Sequence, residues 1–587
     1  MAWPDDKGVN EWGLNWQEAA QAGSLLLFLS KDKRALVKKI LITVWGMLVL
    51  CACKKEGGPQ TAVVPPFEYV QTTINGNVYT GGNLYNVPVN AVIAISFSQP
   101  IDQSTVAGSV SFTSTGPVTS TFSYPNDSTL VIQPSSPLKP LTKYLLVVSP
   151  PLKSTADSTL TTTTQITFVT AIDTTDKFPR ISDSALLTLV EQQTFNYFWS
   201  GADQNSGMAK ERMSQTQVTT GGSGFGVMSM LVGVQRGFIT RAQALSRITT
   251  MVNFLTNSAT TYHGAFSHWM NGETGATIPF STQDNGGDIV ETSYMIAGLL
   301  CARQYFNSTT DSGEINLRSA INTIYNNVDW NWYRQNGQNV LYWNWSPNYN
   351  FAINVKVQGW CEAMIAYILA ASSPNDTAAI PAAVYNDGWA QNGAEKNGSA
   401  YYGITLPLGP SYGGPLFFAQ YSFLGINPNG LSDAYANYWT QDTAHSMINY
   451  LYCVNNPGKF NGYSSSCWGL TASDDNSGYS AHSPTNDDGV LSPTAALSSF
   501  PYTPTQSMNA LRFFYYTLGD KLWGQYGFID AFNLTNIWFD NDYLAIDQGP
   551  EIVMIENYRS GLLWNLFMSC PEIRAGMTKL GFQGPNL

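Results

Sequence analysis

The rhythm of hydrophobic and polar positions changes once along this chain, between residues 171 and 177. From residue 67 to 171, apolar and polar residues alternate in short β-branched runs. These are Ala91 to Phe97, Ser128 to Ile132, Tyr144 to Val148 and Gln165 to Val169, separated by Pro, Gly, Asn and Asp. A period of two with turn residues at this spacing predicts an all-β, Ig-like sandwich of about 100 residues. From residue 177 to 587 the period becomes helical. Ser182 precedes Ala185-Leu186-Leu187, Leu189-Val190, Phe195 and Phe198-Trp199, which predicts an amphipathic helix capped by Ser182. Thr240-Arg241-Ala242-Gln243 reads as a capping box opening a helix to about Leu255. Further helices are expected near 288–306, 314–328, 357–371, 440–452, 504–518 and 550–568. Helix pairs joined by long Gly/Asn/Tyr/Trp loops, with no strands at βαβ spacing, predict an all-α (α/α)6-type toroid whose loops line one mouth.

The N-terminus adds a targeting expectation. Lys38-Lys39, the apolar run Ile40 to Leu50 and Cys51-Ala52-Cys53 read as a signal peptide ending in a lipobox, with Cys53 as the lipidated residue. The run is short for a membrane span. The acidic residues before Val37 do not suit a signal peptide, so translation is expected to start near Val37, and residues 1–53 form a mis-started N-terminus plus signal. Residues 54–66, rich in Gly, Pro, Gln and Thr, read as a linker. The expected location is the bacterial envelope, with a lipid anchor, and the expected state is a monomer. No carboxylate or histidine cluster marks the sandwich, which reads as a spacer or weak sugar binder.

Charged residues make up 12% of the chain, against roughly 25% in an average soluble protein. A net charge of −12 argues against nucleic acid and disfavours an anionic polymer. Five cysteines lie beyond the signal; Cys301, Cys361 and Cys570 fall in apolar runs, whereas Cys453 and Cys467 flank a polar loop and could pair. No cysteine or histidine spacing suggests a metal, and no HExxH, GxSxG or P-loop is present. Gly221 to Gly226 is glycine-rich but follows no strand.

What remains is carboxylates among aromatics, the equipment of sugar hydrolysis, where one carboxyl protonates the leaving oxygen and a second activates water or attacks carbon. Glu362 lies in the apolar stretch Val357 to Leu369 with no base three or four residues on, which makes burial and a raised pKa the expectation. Asp284, Asp288 and Glu291 form a second group; Asp288 as N-cap with Glu291 three residues on explains that pair equally well. In the third, Asp547 to Arg559, Pro550 is placed as a first helical residue, Glu551 meets the helix dipole, Glu556 could pair with Arg559, and Asp547 precedes the helix in a loop. Asp474-Asp475 and Asp487-Asp488 are loop acids without calcium-loop spacing. Trp330 to Tyr333, Tyr342 to Trp345 and Tyr401-Tyr402 are the densest aromatic runs, shared between core and sugar faces.

These segments resemble one family. Gly224-Phe225-Gly226, Gly233 to Ile239, His268-Trp269-Met270, Asp288 to Glu291, Gln358 to Met364, Asp487-Asp488-Gly489, Asp547 to Pro550 and Glu556 to Arg559 occur in the order of the glucoamylase-like domain. Within that group the chain is similar to bacterial endo-β-1,2-glucanases of glycoside hydrolase family 144. The resemblance implies an (α/α)6 barrel, endo-acting and inverting cleavage of linear β-1,2-glucan to sophorooligosaccharides, and no cofactor or metal. It implies catalytic roles among Glu362, Asp284, Asp288, Glu291 and Asp547, with Glu362 as general acid and the base left open. Substrate contacts are expected from His268, Trp269, Trp343, Trp345, Trp360, Asp487, Asp488, Glu556, Tyr558 and Arg559. The alternatives are exo action or another β-glucan linkage on the same barrel, and a glycan-binding lipoprotein without catalysis.

Overall fold

The alternating segment folds into two facing sheets in the computed structural model, which describes residues 64–587. The stretch read as a signal, with Cys53, and most of the expected linker lie outside the described residues. Strands β1 (Tyr69–Ile74), β2 (Asn77–Val78), β3 (Asn83–Val87), β4 (Ile93–Phe97), β5 (Val110–Thr113), β6 (Ser120–Asn126), β7 (Thr129–Pro134), β8 (Lys143–Val148) and β9 (Thr164–Thr170) build the sandwich. One sheet has the order β2-β1-β4-β7-β6 and the other β3-β9-β8-β5, with β3 parallel to β9. Alternate residues face inward, so Ile93, Ile95, Leu130 and Ile132 meet Leu146, Val148, Ile166 and Phe168 in one core. Leu141 and Val169 leave that core to pack with Leu186, Leu187 and Val190, which seats the sandwich on the first helix of the next domain.

That domain comprises α1 (Asp183–Trp199), α2 (Thr220–Gln235), α3 (Arg241–Asn257), α4 (Ile289–Tyr305), α5 (Ser312–Asn326), α6 (Met364–Ala371), α7 (Tyr438–Asn455), α8 (Pro493–Ser498), α9 (Pro504–Arg512), α10 (Ala545–Ser560), α11 (Leu562–Met568) and α12 (Pro571–Leu580), with shorter turns between. Ser182 caps α1 through the Ala185 N–H, and Thr240 and Gln243 form the capping box of α3. Two kinds of helix result. In α2 and α4 every residue of the first three and a half turns is buried, so these helices lie inside the domain. In α3 and α5 an apolar stripe is buried and the opposite face is wet, so these lie outside. The glycines of α2 serve packing: a Cβ on Gly224 would collide with the Tyr294 backbone, and one on Gly298 with Gly224 itself.

Several expectations are corrected. The apolar stretch 357–371 is helical only from Met364, because Gly359 adopts φ +77° and interrupts the run. Pro550 is not a first helical residue: α10 starts at Ala545, putting Asp547 in its first turn and Glu551 mid-helix, where Glu551 accepts from Thr194 Oγ1 at 2.8 Å. The missing Pro550 N–H leaves the Ile546 carbonyl without its usual helical donor. Residues 504–518 are α-helical to Arg512 and then widen into a π-turn over Phe513–Thr517. Cys453 and Cys467 are both buried free thiols and form no disulfide.

Candidate active site

Helix α4 begins beside three acids, Asp284, Asp288 and Glu291. Asp288 caps it, its Oδ1 accepting the backbone N–H groups of Val290 and Glu291 at 2.9 Å each. Its Oδ2 accepts from His268 Nδ1 at 2.9 Å and from Trp343 Nε1 at 3.2 Å. Strand pairing of Gly287-Asp288 with Asn344-Trp345 brings the two loops together. One Asp288 oxygen therefore serves the helix cap, and the other faces His268 and Trp343. Glu291, one turn on, does not return to the cap. Its Oε2 crosses to α2, accepting from Gly221 N at 2.7 Å and Thr219 Oγ1 at 3.2 Å. Asp284 completes the group and accepts from Asn344 Nδ2 at 2.8 Å.

The electrostatics follow from burial. Asp284, Asp288 and Glu291 are 9%, 0% and 6% exposed, and only His268 supplies positive charge among them. Burial opposes a charge on His268, but Glu291, Asp288 and Asp284 outweigh it and lift the imidazole to about 10, so it is an imidazolium at neutral pH. Burial and then the Asp288 charge push Asp284 up; burial also raises Glu291.

Glu362 stands just ahead of α6. Ser422 Oγ donates to the Glu362 carbonyl and accepts the Ile365 N–H at 3.0 Å, which fixes the turn; Tyr294 OH donates to the same carbonyl at 3.4 Å. The carboxyl itself is 6% exposed, and burial, reinforced by the negative charges of Glu291 and Asp288, pushes it up to about 7. Two buried phenols, Tyr294 and Tyr421, lie among the acids: Tyr294 senses Glu362 and Glu291, and Tyr421 senses Asp547, Glu362 and Glu291.

Asp547 is 4% exposed, and the Ala545 N–H donates to the Glu211 carbonyl at 2.9 Å, tying the start of α10 to the segment before α2. Burial raises its carboxyl. Beside it lies a group that the sequence reading did not identify as a unit. Arg212 clamps Asp474 at 2.8 and 3.1 Å and Glu211 at 2.9 Å, and Asp474, Asp530 and Asp540 bring carboxylate oxygens within 4.8 Å of one another. Asp530 carried the same signal as Glu362, a lone acid in the apolar run Phe528 to Phe532, and could have been found by it. Nothing in the spacing of Tyr294 or Tyr421 distinguished them from core rings.

The aromatic expectations divide. Trp345 meets His263 edge to face at 4.8 Å, and Trp332, 40% exposed, stacks on the same His263 at 3.6 Å, forming a wall beside Asp288. Trp269 and His268 pack on Phe280 at 4.8 and 4.5 Å. Trp330 and Tyr333 are core. Trp360 is a correction: it is 4% exposed, donates from Nε1 to His445 Nδ1 at 3.3 Å and packs with Trp389, Phe423 and Tyr438, leaving no face for a sugar. Asp487 is held by the Tyr452 and Tyr463 hydroxyls at 2.9 and 2.7 Å, and the half-exposed Asp488 approaches His482 at 3.3 Å; neither joins the acid group.

Glu556, Tyr558 and Arg559 are a second correction. Nine residues separate Asp547 from Glu556 on one helix, about 13 Å. Glu556 pairs with Arg236 at 2.6 Å rather than with Arg559, and Arg559 pairs with Glu191. This network joins the C-terminal ends of α2 and α10 to the middle of α1. Tyr558 stacks on Phe500 at 5.4 Å.

Residues 354–571 match the family model described as "Putative glucoamylase", and residues 78–170 match a bacterial Ig-like domain. The chain is 51% identical to a solved endo-beta-1,2-glucanase from Chitinophaga pinensis, in complex with sophorotriose and glucose, over 70% of this chain and 100% of that one, with a TM-score of 0.67. It is 36% identical to a solved beta-1,2-glucanase from Parabacteroides distasonis over 89% of this chain and 73% of that one, with a TM-score of 0.66. An exo beta-1,2-glucooligosaccharide sophorohydrolase (non-reducing end) from Parabacteroides distasonis is 44% identical over 423 residues. That alignment takes in 68% of this chain but spans only 58% of that relative's length. Buried carboxyls beside an aromatic wall are the equipment of glycoside hydrolysis. The chain belongs to the family of glucoamylase-like β-1,2-glucan hydrolases that these relatives represent.

Proposed function

We propose that this protein hydrolyses linear β-1,2-glucan by endo attack with inversion, on an (α/α)6 barrel, with Glu362 as general acid and Asp547 as base. The observation that carries the reading is the state of the Glu362 carboxyl: buried, held near 7, and receiving no hydrogen bond from another side chain among the described residues. Such a group keeps its proton at working pH and can give it up. Asp288 is unsuited to the second role, since both its oxygens are occupied, and Glu291 Oε2 is held by Gly221 and Thr219. Asp547 Oδ2 accepts no hydrogen bond from a donor among the described residues, and the buried Tyr421 phenol feels the charge of both Asp547 and Glu362.

In the step, a water oxygen bonds to the anomeric carbon as the glycosidic C–O bond breaks. Asp547 takes the proton of that water, directly or through a sugar hydroxyl, and Glu362 gives its own to the departing oxygen. One water is consumed, and the two carboxyls exchange states until solvent resets them. Asp284, Asp288, Glu291 and His268 hold sugar hydroxyls next to the reacting centre, against the wall of Trp269, Trp343, Trp345 and Trp332.

Endo action takes support from the Chitinophaga pinensis relative, which the chain covers completely. The sophorohydrolase relative favours a second reading, exo release of disaccharide. Sizing products over time separates them: endo attack shortens the polymer before small sugars accumulate, whereas exo attack yields disaccharide from the first minutes. Glu362→Gln should lower kcat by about 10²–10⁴-fold while glucan binding persists; unchanged kcat would remove Glu362 from the acid role. Export and lipidation at Cys53, with a monomeric enzyme facing a glucan polymer, complete the proposal, and mass spectrometry of the N-terminal peptide from membranes tests the anchor.

A further inference from the structure

Asp530 has no part in the reaction as written, yet its surroundings are unusual. It is fully buried; its Oδ2 accepts the Asp474 N–H at 2.8 Å, and its Oδ1 meets no donor. Asp547 Oδ2 also meets no donor, and the two carboxyls lie on segments that are tied together: Gln548 Nε2 donates to the Phe528 carbonyl at 2.9 Å and the Asp530 N–H to the Asp542 carbonyl at 3.1 Å, so that each carboxyl feels the other. Ionised carboxylates only accept. Two neighbouring carboxyls in a buried site disfavour a second charge, so one of the pair is favoured to hold a proton.

The neighbours decide which group carries it. Facing the pair are Asp474 with its Arg212 clamp, Glu211, Asp540, Asp542 and the phenols of Tyr197, Tyr421 and Tyr479. Asp542 is occupied by the Ser214 N–H at 3.2 Å and the Ser214 hydroxyl, and Asp540 Oδ1 by the Asn541 N–H at 2.7 Å. The Arg212 charge reaches Asp547 and favours its ionised form, while Asp530 meets chiefly the negative charges of Asp547 and Asp474.

We propose that Asp530 keeps a proton and donates it as a hydrogen bond to Asp547, favouring the ionised form of Asp547 against the effect of burial and orienting it as the base. Asp530 is a positioning residue, and the inference rests on the reading of Asp547 as base. During hydrolysis the proton from water goes to Asp547 and Asp530 retains its own. The pair then carries two protons until solvent removes one.

The test is the pH profile of kcat/KM on linear β-1,2-glucan for the full chain and for D530N, D530A and D547N, with and without EDTA or added calcium. An asparagine keeps a donor toward Asp547 and an acceptor for the Asp474 N–H. D530N is therefore expected to retain the wild-type acid limb and most of the rate. D530A is expected to lose at least about tenfold in kcat and to shift the acid limb up by about one pH unit, with the basic limb, set by Glu362, in place. A wild-type minus D530N infrared difference spectrum that shows the loss of one carboxylic acid band at pH 8 supports the same assignment without using activity. The proposal is overturned if D530N moves the acid limb down by more than about a unit, since that means Asp530 was a charged neighbour. It is overturned equally if D530N is as impaired as D530A, or if EDTA abolishes activity and calcium restores it, which would make the cluster a cation site. Full activity of D547N would instead remove the premise that Asp547 is the base, while the infrared band still reports on Asp530.

Discussion

Replacing His268 by glutamine keeps a donor within reach of Asp288 and deletes the positive charge. The magnitude follows from the lift of the imidazole from 6.5 to about 10 by its carboxylates. At pH 7 that lift amounts to about three units, or about 4 kcal/mol at 1.36 kcal/mol per unit. Removing one member of a buried ion pair independently costs about 3–5 kcal/mol. Asp284, already pushed up to about 7, can take a proton and relieve part of the loss. The expected destabilisation of His268→Gln at pH 7 is therefore about 2–4 kcal/mol. Urea unfolding followed by tryptophan fluorescence suits the measurement, since Trp269 and Trp343 adjoin the site. The variant should also take up protons relative to wild type when both are titrated from pH 8 to pH 6. A variant within about 0.5 kcal/mol of wild type, with an unchanged proton count, would refute the imidazolium and the ionic account of this group.

A Cβ on Gly221 would lie 2.7 Å from Glu291 Oε2 and 2.8 Å from the Tyr294 ring. Gly221→Ala should thus displace Glu291 and depress kcat at least about tenfold while far-UV circular dichroism is unchanged, and a rate equal to wild type would contradict that contact. Arg236→Ala leaves Glu556 without its partner and should cost about 3–5 kcal/mol in denaturant unfolding without altering KM, because this network lies away from the acid group; a raised KM with normal stability would restore Glu556 to substrate binding. Glu551 and Glu395 are raised by burial to about 8 and Glu362 to about 7, from 4.5. Their folded forms hold protons the unfolded chain releases, so the stability they contribute is full below about pH 4.5 and is lost as pH rises through 7 and 8. Calorimetry should show Tm falling from pH 5.5 to pH 8, and a rise over that window would contradict the buried protonated state.

Local signals in the sequence translated well where one residue decides the geometry. Ser182 and the Thr240/Gln243 box cap their helices because the donors they satisfy lie within three residues. Burial of Glu362 was legible because an acid in an apolar run has few alternatives. The failures share a cause, since each depended on partners distant in the chain. Glu556 looked paired with Arg559, three positions on, yet Arg236 from another helix takes it. Trp360 looked like a sugar platform until Trp389, Phe423 and Tyr438 closed around it. Pro550 was read by its preference for helix starts, whereas packing extends α10 five residues earlier. Asp474, Asp530 and Asp540 come together only because segments far apart in sequence converge.

Proton NMR of linear β-1,2-glucan during the first minutes of hydrolysis tests the central claim most directly. Two carboxyls acting from opposite sides through water predict that the new reducing ends appear as the α-anomer and then mutarotate. Appearance of the β-anomer first, or no reducing ends from this glucan at any enzyme concentration, would contradict the account.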